Sequence, residues 1–113
     1  MTRSDAVASA KSARVKLEAM LLDLPGLERR PSRYGDSFSY FVGSREIAHF
    51  HGDGRMDVRL TREVIKYRKS EGGFDPRVKT RGPSADWVSV SLEKSTDLPY
   101  VLSLVEEALR ANG

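Results

Sequence analysis

The sequence predicts an α+β fold: a two-layer sandwich in which an antiparallel sheet of about five strands carries the N- and C-terminal helices on one face. Three observations lead there. Apolar residues recur at three- and four-residue steps near both ends of the chain. Between them, short segments alternate apolar and polar residues, separated by turns too short for parallel crossovers. The chain has 113 residues and no cysteine, so one domain must bury roughly two thirds of its unfolded surface without disulfide staples.

Residues 3–23 carry the first helical stripe: Ala6, Ala10, Ala13, Leu17, Met20 and Leu24, with Val7 and Leu21 beside it and Thr2 or Ser4 as the cap. "LPGLERRPSRYGD" interrupts the pattern with prolines and glycines and is expected to be a loop. "SFSYFV", "REIAHFH" and "RMDVRL" then alternate as strands. "TREVIKYRK" is a short helix capped by Thr61, "SEGGFDP" a turn, and "RVKTR" and "DWVSVSL" two more strands. Short connections favour a meander. The last helix, 97–111, has Leu98, Val101, Leu102, Val105, Ala108 and Leu109 on one stripe, Asp97 as cap and Pro99 in its first turn.

Both histidines lie in "AHFHGDGRMDVRL". Met56, Val58 and Leu60 demand the core, which leaves Arg55, Asp57 and Arg59 on the face away from the helices. Two turns compete here. A three-residue Gly52-Asp53-Gly54 loop pairs His51 with Arg55, Phe50 with Met56 and His49 with Asp57, with Gly54 in the left-handed position. A two-residue Asp53-Gly54 turn puts His49 beside Val58 in the core. The three-residue loop is favoured because it sorts every apolar residue except Ile47 inward. Alternation also sends Phe38, Tyr40, Val42, Val78, Thr80, Val88, Val90 and Leu92 inward. Ser37, Ser39, Phe41, Arg77, Lys79, Arg81, Trp87, Ser89 and Ser91 go outward.

A tryptophan among arginines and histidines on a sheet face suggests a binding surface. His49 with Asp57 fixing its tautomer could serve as a general acid or base, the catalytic pair of this reading. His51, Arg55, Arg59, Trp87 and Ser89 are the expected ligand contacts. His-x-His with Asp57 also resembles part of a zinc or iron site, but no third histidine or cysteine exists, so no metal and no cofactor are expected. Nothing like Gly-x-Ser-x-Gly supports a serine nucleophile, and the Gly-Asp-Gly turn opens no helix that could cradle phosphate. A basic, aromatic face could also stack bases, or form a homodimer interface. The formal charge of +3, from 19 basic and 16 acidic residues, includes no polybasic tract and gives nucleic acid only weak support. No apolar run approaches the ~20 residues of a membrane span, and the basic N-terminal stretch lacks a continuous apolar core. The expectation is a soluble cytoplasmic protein that does not engage a membrane.

"EIAHFHGDGRMDVRL", "SADWVSVSL" and the apolar C-terminal helix together resemble the small luciferase-domain family, bacterial proteins named for a similar domain in fungal luciferases. The resemblance covers about 24–110 of a single domain spanning 1–113. By position it implies a shared site at His49, His51, Asp57 and Trp87. Members often carry further histidines before the tryptophan strand; here "FDPRVKTRGPSADW" has none. A weaker similarity of pattern is to YjbR-type proteins, which implies a two-layer fold and, by association of fold only, nucleic-acid binding. The combined expectation is a binding domain for a small or acidic ligand on the open sheet face. An acid–base enzyme and a nucleic-acid binder are the alternatives.

Overall fold

Val58 and its alternate neighbours decide which way the sheet faces. The protein is described here by a computed structural model covering residues 3–32 and 38–113. Its elements are α1 (Arg3–Leu22), β1 (Glu28–Pro31), β2 (Phe38–Val42), β3 (Arg45–Phe50), β4 (Arg55–Arg59), α2 (Arg62–Ser70), β5 (Val78–Thr80), β6 (Trp87–Ser91) and α3 (Leu98–Asn112). The six strands form one antiparallel sheet in the order β1-β2-β3-β4-β6-β5. Met56, Val58, Leu60, Val88, Val90 and Leu92 are buried with Ala13, Leu17 and Leu21 of α1, Ile65 of α2, and Val101, Leu104 and Val105 of α3. The helices therefore cover one face, as the sequence predicts.

The expected loop after α1 contains an edge strand. Glu28–Pro31 pairs with β2 and brings the count to six. Proline belongs at a sheet edge, where its missing N–H removes no bond from a partner on the outer side. The sheet is also not a plain meander. After α2 the chain lays down β5 at the edge, and β6 returns between β5 and β4. Residue type explains the exchange. Val88 and Val90 of β6 are fully buried, whereas Val78 is the only large apolar residue of β5 and is half-buried. The more apolar strand takes the inner position.

Two helix details differ from expectation. Leu104 joins the buried stripe of α3, with Leu102 at its side. Asp97 holds the N-cap position of α3, but its side chain makes no capping hydrogen bond to that helix. Its Oδ2 accepts from the Glu93 and Lys94 amides at 3.0 and 3.3 Å, closing the 3₁₀ turn Ser95–Asp97 that precedes the helix. Thr61 does cap α2, accepting from the Val64 amide at 3.4 Å. Thr2, a proposed cap of α1, and Ser37 lie outside the described residues.

The Gly-Asp-Gly turn takes the three-residue form. Phe50 pairs with Met56, His49 with Asp57, and the His51 amide donates to Arg55 O at 2.9 Å. Arg14 of α1 holds this turn from the helix side, donating to Gly52 O at 3.3 Å and lying 3.5 Å from Asp53. Gly54 has φ +103°, and a Cβ added there would meet Ala10 Cβ at 3.8 Å, an ordinary contact. The cost of a side chain at Gly54 is therefore conformational. Gly54→Ala should lower stability by about 1–2 kcal/mol, while Gly82→Ala, where no positive φ is required, should stay within about 0.5 kcal/mol. Urea midpoints of the two variants check this; equal values would refute the turn assignment. Among the described residues no helix is long and apolar enough to cross a membrane.

Candidate functional site

The face away from the helices is organised by one row of cross-strand neighbours. Register places Arg30, Ser39, His49, Asp57, Ser89 and Lys79 side by side across all six strands. Alternation alone makes this row polar, but it does not make it exposed. Asp57 is only 2% exposed, and Ser39 and Ser89 are also buried. Phe41 points to the same face and is buried too, outside the main core, with the Arg30 guanidinium 5.2 Å above its ring. The face closes over its own centre with long side chains. Asp57 is thus a buried carboxylate, not one half of a solvated surface pair.

A bulge in β3 explains a residue that strict alternation misplaces. Tyr40 pairs with Ala48 and Phe41 with Glu46, so Ile47 is the extra residue. Ile47 and Ala48 both turn into the core, each fully buried. Glu46 is thereby brought round to the face of His49, with its Oε1 3.3 Å from His49 Nδ1. The anomaly of Ile47 in the alternation was the only sequence signal for this contact.

Asp57 is the electrostatic centre. Ser89 Oγ donates to its Oδ1 at 2.6 Å, and His49 Nε2 donates to its Oδ2 at 3.0 Å. Arg81 lies 3.3 Å from Oδ2, His51 Nδ1 3.7 Å from Oδ2, and Arg55 Nε 4.0 Å from Oδ1. Burial pushes the carboxyl up. The Ser89 hydrogen bond, His49 and the Arg81 guanidinium outweigh it and hold the group below the usual carboxylate range. Asp57 therefore accepts only. Both His49 nitrogens face a carboxylate, Nδ1 that of Glu46 and Nε2 that of Asp57. Ser89 gives its proton to Asp57 and not to a histidine, so the serine is not arranged as a nucleophile. Among the described residues no three His, Asp or Glu side chains are grouped as a metal site would need.

The remaining residues separate into two regions. At the turn end, His51, Arg55, Arg77, Lys79, Ser89 and Ser91 line a basin of about 340 Å³, with Asp53 and Glu93 also in its wall. At the other end, the Trp87 ring lies 5.1 Å from the His49 ring, and Arg59 sits 6.0 Å over Trp87 and 3.5 Å from Asp86. His49, His51, Asp57, Arg55, Ser89 and Trp87 are thus brought together, while Arg59 belongs to the tryptophan end and not to the basin. Arg77 and Lys79 are basin residues that the alternation of "RVKTR" had placed on this face without assigning them a role. Glu46 and Arg81 complete the surroundings of the His49–Asp57 pair.

The family model described as Luciferase domain matches residues 44–108. The matched segment begins after β2, well inside the span of about 24–110 suggested by the motifs, and contains every residue lining the basin. No curated protein and no solved structure matches the chain.

Proposed function

The chain belongs to the luciferase-domain family, and on that premise we propose that this domain binds a small anionic ligand on its open sheet face, in the basin beside Asp57. One observation carries the reading: His51, Arg55, Arg77 and Lys79 converge on a concavity of about 340 Å³ that Ser89 and Ser91 also line. Concave sites with a few convergent polar groups are the usual form of small-molecule sites. Guanidinium and ammonium groups pair with oxyanions, and Ser91 adds a neutral hydroxyl, while the Ser89 proton is held by Asp57. The family name is not taken as a claim of light emission.

General acid–base catalysis by His49, oriented by Asp57, is the second reading. The 3.0 Å contact between them favours it. In that case Glu46 must release Nδ1 before His49 can act on a ligand.

The test is calorimetric titration of the purified domain with inorganic pyrophosphate, repeated with Lys79→Gln. The expected result is saturable binding of one pyrophosphate per chain, weakened about tenfold in the variant and falling with added salt. No saturable binding would overturn the proposal. Salt-sensitive retention of single-stranded nucleic acid without pyrophosphate binding would replace it, as would a dimer that buries Trp87. Turnover of a bound ligand that His49→Gln abolishes while binding persists would establish the second reading.

A further inference from the structure

Apart from Arg81, which pairs with its Oδ2 at 3.3 Å from outside the basin, the partners of Asp57 fall into two kinds. Ser89 and His49 hold it through hydrogen bonds of 2.6 and 3.0 Å. His51 and Arg55 stand at 3.7 and 4.0 Å, within ion-pair range but beyond hydrogen-bond distance. Both belong to the basin wall. Their side chains are 60% and 45% exposed, against 3% for Asp57. Each therefore keeps donor capacity free while a carboxylate that is almost wholly buried faces it from behind.

We propose that Asp57 is a built-in counter-ion that sets the affinity of the basin for oxyanions, and that His51 and Arg55 are the side chains a ligand oxyanion shares with it. This rests on the binding reading above and adds a specificity device to it. A weakly basic or singly charged ligand competes poorly with a resident carboxylate. A dianionic phosphate group offers more charge and more acceptor oxygens than Asp57 and draws the two loosely held side chains toward itself. Asp57 does not move, because Ser89 and His49 anchor it. The site thereby favours phosphate-bearing ligands over monocarboxylates.

The experiment compares pyrophosphate and acetate binding in wild type, Asp57→Asn, Arg55→Gln and the double variant. Removing the buried negative charge while keeping an acceptor for Ser89 should tighten pyrophosphate binding about tenfold and raise acetate binding by at least as much. Arg55→Gln should weaken pyrophosphate binding, and the double variant should lose most of the gain. A second readout needs no change at Asp57: pyrophosphate should shift the Arg55 Nε–H resonance of the wild-type domain. Pyrophosphate binding that Asp57→Asn leaves unchanged or weakens, with Arg55 unshifted, would overturn the counter-ion role while leaving the basin a binding site. Absence of pyrophosphate binding in every protein would instead remove the binding reading itself, and this inference with it.

Discussion

Replacing Met56 with alanine should lower the stability of the domain by about 2–5 kcal/mol, through lost burial and a cavity that the sheet cannot close. Met56 is fully exposed to core and not at all to solvent; it lies between Phe50 on β3 and Val90 on β6, both buried. Strand β4 is interior to the sheet, so hydrogen bonds on both sides prevent its backbone from moving into the void. Arg55 is the adjacent residue and points to the opposite face, with 45% of its side chain exposed. Its pairing with Asp57 is loose, so Arg55→Ala should cost less than about 1 kcal/mol. Chemical denaturation of the two variants measures the contrast. Similar losses from neighbouring positions would mean that β4 does not alternate between core and open face, and the basin would then have no floor.

The same alternation made the central hairpin readable. Met56, Val58 and Leu60 allow one inward face, and the length of the Gly-Asp-Gly turn transfers that choice to β3, so the His49–Asp57 pairing and the nearness of Trp87 follow from sequence. What could not be read was whatever breaks a period or depends on a distant neighbour. The one-residue bulge showed in the sequence only as the anomaly of Ile47, so Glu46 was given no place in the site and its contact with His49 was missed. "ERRP" lacks apolar alternation because an edge strand has one side free, and it resembled loop. The exchange of β5 and β6 depends on how many residues each buries once the helices are in place. Burial of Asp57 is a collective effect as well. Its identity was clear, but its 2% exposure comes from side chains distant in sequence, Arg81 just beyond β5 among them.

That burial makes Asp57 a costly residue to remove. Asp57→Ala should destabilise the domain by about 2–3 kcal/mol, because the buried Ser89 hydroxyl loses a charged acceptor and four basic side chains lose their common counter-ion. The figure sits below that for a fully buried ion pair because His51, Arg55 and Arg81 remain solvated. The pH dependence has a definite sign. The folded carboxyl titrates below its unfolded value, so its stabilisation is complete above about pH 4 and is lost as the pH falls through the folded value. His49, His51, Arg55 and Arg81 face the carboxylate throughout, and protonating it leaves their charges uncompensated. Urea midpoints of the wild-type domain should therefore fall from pH 5 toward pH 3 more steeply than those of Asp57→Asn, which carries no titrating group at this position. The other carboxylates contribute equally to both curves and cancel in the difference. Parallel curves would show that Asp57 gains no protection from its partners on folding, and the buried counter-ion would have to be withdrawn from the site.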